Sequence, residues 1–403
     1  MTTQTIDTPA ADLPVAATQT ESFQTGQVAT IGGGHFMHDT FGAFLAPLLP
    51  LIQDNLGTNY MLTGGLTIFT QLPSLLNPFL GYAADRMSVR YFVILAPGFT
   101  ATLMTLIGFA PSYLALAMLL LAGGVSIAAF HAPAPAMTAR VSGNRVGTGM
   151  SIFMATGELG RTVGPIVAVA AVSWWGLDGI WRLAVLGWLT SAVLYWRLHT
   201  VPARPRSPGQ DSLAAMWPQV KRVFPVITWV IFPKVFLAVT ITTYLAIFMR
   251  DQLQTSLWLA AASLTILEGA GVVGALLTGT LSDRYGRRQV LIVLLAAAPL
   301  ILALFLFGPN WIIVPALVGL GLTAISTTPV VLAIVQDQFP DNRATANGIF
   351  MFLNFLARSI GVVVVGLLAD RFGLTVAFAV SGLLALLSVP AIFWLPQQKA
   401  AQG

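Results

Sequence analysis

The chain has 403 residues, of which 56% are hydrophobic and 9% charged, and its mean hydropathy is +0.80. A soluble domain carries about 25% charged residues, so an ordinary water-soluble globule is excluded. The formal charge of +5 is spread over short loops, which membrane topology explains without nucleic acid.

The first predicted element is a tail. Residues 1–27 are rich in Thr, Ala and Gln and hold Asp7, Asp12 and Glu21 but no Lys or Arg. That composition predicts disorder rather than a secretory signal, which needs a basic start. Apolar runs then predict twelve helices near 29–53, 60–82, 91–109, 112–138, 147–173, 180–199, 224–249, 257–279, 289–308, 311–335, 346–368 and 374–395. Each matches the about 20 residues that a bilayer crossing needs. Every second connection is basic: Arg86 and Arg90; Arg140 and Arg145; Arg197, Arg204, Arg206, Lys221 and Arg222; Arg284, Arg287 and Arg288; Arg343; and Lys399. Only Arg182, Arg250 and Arg371 fall on the other side, and fourteen against three predicts cytoplasmic termini. Trp174, Trp175, Trp181, Trp258 and Trp311 fall near the outer interface, and Trp196, Trp217 and Trp394 near the inner one.

Several chemistries are closed. With no cysteine there is no disulfide, iron–sulfur cluster or thiolate metal site. Lysine occurs only at Lys221, Lys234 and Lys399, none after a Gly-rich loop, so no Walker A motif exists to bind ATP. No HExxH and no nucleophile–base constellation appears. Neither an enzyme nor a cofactor or metal is expected, and a monomer is.

The chain repeats itself. GYAADRMSVR at 81–90 recurs as GTLSDRYGRR at 279–288, pairing Gly81, Asp85, Arg86 and Arg90 with Gly279, Asp283, Arg284 and Arg288. SIFM at 151–154 recurs as GIFM at 348–351, and RTVG at 161–164 as RSIG at 358–361. Two six-helix halves, 28–199 and 223–397, are therefore expected around a polar linker at 200–222 that holds Pro202, Pro205 and Pro208; residues 398–403 form a short tail. Parallel halves of this kind are a transporter architecture.

GTLSDRYGRR resembles the cytoplasmic loop signature of the major facilitator superfamily, and FPDNRATANG at 339–348 resembles that superfamily's loop before helix 11. GGHFMHDTFGAFLAPLLP at 33–50, AAFHAPAPAMTARVS at 128–142 and the stretch with Gly160, Gly164 and Pro165 resemble its fosmidomycin-resistance branch. The resemblance implies an all-α membrane protein in which helices 1, 4, 7 and 10 line a cavity, 2, 5, 8 and 11 flank it, and 3, 6, 9 and 12 face outward. It also implies efflux of a small toxic compound, phosphonate-like in character.

Nine ionisable residues fall inside predicted spans: His35, His38, Asp39, His131, Glu158, Arg161, Lys234, Glu268 and Arg358. None lies on an outward helix of the implied fold. A charge at mid-bilayer costs ~2.5–3.5 kcal/mol even on the mild insertion scale, so each must pair or face water. His35 and Asp39 share a helix face. Glu158 and Arg161 are either a structural ion pair or part of the mechanism. His131, beside Pro133 and Pro135, either satisfies a freed carbonyl or titrates. Arg161, Lys234 and Arg358, with Thr70, Gln71 and Ser74, are the candidate substrate contacts. His35, His38, Asp39, His131, Glu158 and Glu268 are the candidate proton carriers. Gly81, Asp85, Arg86, Arg90, Gly279, Asp283, Arg284, Gly286, Arg287 and Arg288 are the candidate gating loops.

By the implied packing, Arg161 should approach Glu268, while Arg358 faces the polar stripe Thr63, Thr67, Thr70, Ser74 and Asn77 of helix 2. The expected function is proton-coupled efflux of a small anionic or polar solute across the cytoplasmic membrane by alternating access. Uptake by proton symport is the second transport reading, and a non-transporting sensor or scaffold the reading of another class.

Overall fold

A computed structural model describes residues 22–76, 90–143, 145–200, 213–339 and 343–395. Among these no strand forms, as expected where a bilayer leaves backbone groups to pair within their own helix. The helices are α1 (Thr25–Gly42), α2 (Leu45–Leu56), α3 (Tyr60–Gln71), α4 (Arg90–Thr105), α5 (Tyr113–His131), α6 (Ala134–Val141), α7 (Val146–Trp175) and α8 (Ala184–Leu198). The second half holds α9 (Leu213–Thr243), α10 (Leu245–Asp251), α11 (Leu257–Tyr285), α12 (Arg287–Phe307), α13 (Ile313–Leu320), α14 (Thr327–Gln338), α15 (Arg343–Phe372) and α16 (Leu374–Leu386).

Among the described residues, eight stretches are long and apolar enough to cross a membrane, or nine if Thr148–Trp175 and Asp178–Leu198, bent by 115°, form one. Their outer surfaces carry apolar side chains such as Leu114, Leu276, Phe307 and Trp311, each at least 70% exposed. Water would not tolerate that surface, but lipid does.

Three predicted boundaries move. The first helix starts at Thr25 rather than near 29. α9 starts at Leu213, so the end of the predicted linker is helical; residues 201–212 lie outside the described residues. The cause is an amphipathic turn, with Val220, Val223 and Phe224 buried while Trp217 and Lys221 are exposed. The stretch predicted as one helix near 311–335 is interrupted by a π-helical turn at Gly321–Ile325.

Several helices are broken at mid-depth, and the breaks place the chemistry. Gly42 to Leu45 separates α1 from α2, just past Asp39. α5 stops at His131 because Pro133 and Pro135 bring no N–H. Tyr244 separates α9 from α10.

The halves meet where α3 packs on α15 and α7 on α11, as the resemblance implies, and where α2 meets α10. Tyr244 is fully buried at this junction, donating to the Val362 carbonyl at 2.8 Å, and its ring fills the space in front of Gly64. At the bundle end away from the chain termini a polar latch joins the halves. Arg250 reaches the Pro50 carbonyl and Asp54, each at 2.6 Å, and holds Asp251 at 2.8 Å. The Tyr60 hydroxyl donates to Asp251 at 3.1 Å.

The start of α3 completes the latch. Its Tyr60 and Met61 N–H groups donate to Asp370 of α15 at 2.7 and 3.1 Å, and its Leu62 N–H to Asn59 at 2.9 Å. A helix N-terminus has orphan donors to satisfy, and here the other half supplies the acceptor for two of them.

Candidate functional site

Helix α7 approaches α1 closely because its facing positions are glycines. Gly157 lies against the His35 ring, Gly160 against the Phe36 carbonyl and Gly164 against the Thr40 carbonyl, leaving no room for a Cβ. Small residues at such spacing let membrane helices pack backbone to backbone. This contact brings Arg161 beside Asp39.

Asp39 is the centre of the first cluster. Its Oδ1 lies 3.1 Å from His38 Nδ1 and 3.3 Å from His131 Nε2. Its Oδ2 lies 3.3 Å from His35 Nε2 and 3.1 Å from Arg161 Nη1. Arg161 also pairs with Glu158 one turn away. The His35 ring stacks on Phe153 and the His38 ring on Phe130, with centroids 4.0 and 4.3 Å apart. His35, His38 and Asp39 are buried, whereas the side chains of His131 and Arg161 are 33% and 43% exposed. Those two are therefore the accessible members of the cluster.

The tautomers follow from the acceptors. His35 Nδ1 sits 2.7 Å from the Phe153 carbonyl, and His131 Nδ1 sits 3.1 Å from the Ile127 carbonyl. A carbonyl only accepts, so both Nδ1 atoms carry hydrogen. Both Nε2 atoms then turn toward Asp39 and toward each other, 3.4 Å apart. His35, Asp39 and His131 offer ligand atoms within 4.8 Å of one another, close enough to hold a metal ion. Arg161 already places a positive charge on the same carboxylate, which opposes a second fixed cation.

The second cluster is built differently. Lys234 is buried on α9 and donates to the Thr327 and Thr328 hydroxyls at 3.1 and 3.3 Å, just past the π-helical turn. Such turns recur at functional sites. Arg358 on α15 donates to the Gln71 side-chain oxygen and the Thr242 hydroxyl, both at 3.3 Å. Among the described residues neither cation has a carboxylate within ion-pair distance. Glu268, partly buried on α11, acts on Arg161 and Arg358 through space only.

Two expectations change here. Arg161 pairs with Asp39 and Glu158 rather than Glu268, because the glycine face of α7 turns it toward its own half. In the helix 2 stripe, Thr63, Thr67 and Thr70 spend their hydroxyls on carbonyls of their own helix turn, so among the described residues of that helix only Gln71 makes a side-chain hydrogen bond to Arg358. Ser74 is partly buried in a 3-10 turn, and Asn77 lies outside the described residues.

Of the loop residues, Gly81, Asp85 and Arg86 also lie outside the described residues, while Arg90 opens α4 with its guanidinium over Tyr91. In the second half Gly286 has φ of +91°, which suits glycine, and it makes the turn from α11 to α12. Arg287 binds Asp337 of α14 at 2.8 Å, and Asp283 only weakly at 3.8 Å. Arg288 donates to the Phe393 carbonyl at 2.5 Å, Arg284 covers Tyr285, and Gly279 faces open space. Asp283 is exposed, and the closer acidic partner of Arg287 is Asp337, which was not foreseen. Asp54, Asp251 and Asp370 of the latch were likewise not singled out, although four charged groups at one bundle end was a readable signal.

Two helical halves around a polar interior, with lipid-compatible outer faces, define a membrane transport protein. The chain matches the Major Facilitator Superfamily model over residues 31–361 and 262–403, and it belongs to that superfamily. It is 25% identical to the fosmidomycin resistance protein of Escherichia coli (strain K12), covering 95% of this chain and 96% of that one. Its fold is similar to that of the nucleoside transporter NupG, with a TM-score of 0.75 and 16% identity over 91% of this chain and 99% of the other. It is also similar to a D-xylose-proton symporter, with a TM-score of 0.74 and 16% identity over 94% and 98%. The chain is thus a membrane-spanning transporter of this superfamily and not an enzyme.

Proposed function

We propose that the chain exports a small organic anion across the cytoplasmic membrane in exchange for protons, through twelve crossings with both termini in the cytoplasm. One observation carries this reading: the division of charge between the halves. The first half holds two carboxylates, one arginine and three histidines around Asp39. The second presents two cations whose hydrogen bonds go to neutral partners. The first composition suits a proton and the second an anion. Lys234 and Arg358 take the substrate, and Arg161 reports proton occupancy by holding or releasing Asp39.

The latch closes the end opposite the termini, which with cytoplasmic termini supports a state that faces the cytoplasm. The similarity to the fosmidomycin resistance protein supports efflux and a phosphonate-type substrate. The test reconstitutes the protein into liposomes holding a pH dye. Fosmidomycin, other phosphonates, carboxylates and cationic drugs are supplied from one side. Proton movement against the flow of an anion is expected. Proton movement with the anion would replace antiport by symport, and no proton movement with any compound would sink the coupling.

A further inference from the structure

We infer that the exchangeable proton of the first half resides on the His35–His131 imidazole pair, with His131 as the point of entry, while Asp39 stays ionised throughout. The inference rests on the proton-coupled reading above and deepens it.

The hydrogen-bond inventory leads there. Carbonyls of Phe153 and Ile127 fix hydrogen on Nδ1 of both rings. If both rings were neutral, two lone pairs would face each other at 3.4 Å, each also facing a carboxylate oxygen at 3.3 Å. No donor would lie among them, and burial makes such repulsion costly. One added proton on either Nε2 resolves it: the protonated ring donates to the other ring or to Asp39.

Asp39 is a poor site for that proton. Its Oδ1 accepts from His38 Nδ1 and its Oδ2 from Arg161, and protonation would weaken both bonds, because a neutral acid accepts less strongly than a carboxylate. His38 is no better. Its Nε2 is buried without any partner among the described residues, so a hydrogen there would have none of them to bond. His38 is a positioning residue, held by stacking on Phe130.

Charge balance sets the number. With neutral rings, Asp39, Glu158 and Arg161 sum to one negative charge, and one proton neutralises the cluster. A divalent metal ion would leave an excess of one positive charge at mid-membrane, where net charge is expensive.

Entry follows from exposure. The His131 side chain is 33% exposed, against 4% for His35 and 0% for His38. The proton passes from cavity water to His131 Nε2, then across to His35 Nε2, and it returns to water by the same route. The charged and titratable groups around His131 are His35, His38 and Asp39 from α1, and Arg161 and Glu158 from α7. The other neighbours carry theirs at their ends: Tyr60 on α3, Arg90 and Tyr91 on α4, and Arg140 on α6.

The test uses the full chain in liposomes with isotope-labelled histidine. Only four histidines are present, and a His199→Gln background leaves the three of the cluster. Nitrogen NMR at neutral pH should show one imidazolium, lost in both His131→Gln and His35→Gln. Infrared spectra should show no carboxylic-acid band that vanishes in Asp39→Asn. The unsubstituted-cluster spectra decide the matter even where a variant folds poorly. Three neutral rings together with a protonated Asp39 would overturn the assignment. So would stoichiometric zinc retained through dialysis and lost in His131→Gln. If the imidazolium is present but no flux responds to a pH gradient, the assignment stands and the coupling reading fails.

Discussion

Arg161 and Arg358 occupy equivalent places in the repeat, each before a Thr/Ser, Val/Ile and Gly, yet their partners differ in kind. Arg161 holds two carboxylates, whereas Arg358 holds an amide oxygen and a hydroxyl. Removing an ion's only strong partner in a buried site costs ~3–5 kcal/mol. Arg161→Ala is therefore expected to destabilise toward the lower part of that range, because three histidines still surround Asp39, and thermal unfolding in detergent measures it. Arg358→Ala breaks no ion pair among the described residues, and Glu268 keeps Arg161 nearby, so the melting temperature should fall less than in Arg161→Ala. It should weaken binding of an anionic probe about 10–100-fold, the loss of one charge-assisted hydrogen bond at ~1.5–3 kcal/mol. Titration calorimetry of the two variants separates the roles, and the reverse pattern would exchange them. Lys234→Met should behave like Arg358→Ala, since the Thr327 hydroxyl keeps its bond to the Ala324 carbonyl and Thr328 is exposed.

Among the helices, glycine decides which faces can meet. The fold was legible in hydropathy, in the repeat and in the loop motif, because those follow from bilayer thickness and backbone pairing. The grouping of His35 with Asp39 was legible too, since residues four apart share a helical face. The Glu158 pairing of Arg161 was legible as an i,i+3 pair, but its Asp39 partner was missed, because the implied helix packing pointed to Glu268 and left out what Gly157, Gly160 and Gly164 do. That spacing on α7 marks a close-packed face, and the face points at α1. The latch was missed because its residues sit at helix ends, where periodicity carries no information. Glycine positions also yield a paired prediction. Gly160→Val should drive α7 off the Phe36 carbonyl, separate Arg161 from Asp39 and abolish stable expression. Gly279→Ala, though inside the loop motif, meets open space within a helix and should be neutral or stabilising by about 0.5–1 kcal/mol. Melting temperatures of both variants check this; a severe loss at Gly279 would mean that another conformation needs that glycine.

At the scale of the whole molecule, the latch sets the balance between the two ends of the bundle. Asp370 caps two N–H groups of α3 from across the interface, and a lost helix cap costs ~1 kcal/mol. Asp370→Ala should therefore move the population about five-fold toward the state open at that end. Because the chain has no cysteine, two introduced cysteines near 57 and 373 can carry spin labels without background. A longer label distance is expected in the variant, and an unchanged distribution would remove Asp370 from the latch. One property of this contact reaches beyond the equilibrium. Its donors are main-chain groups, present whatever side chains α3 carries. Substitutions along α3 other than proline leave these two donors in place, so side-chain drift on that helix spares this contact even where it removes the Tyr60 hydroxyl. The side-chain tuning of this one contact falls to a single position on α15, which makes position 370 a place where mutation would reset how long the transporter stays shut on that side.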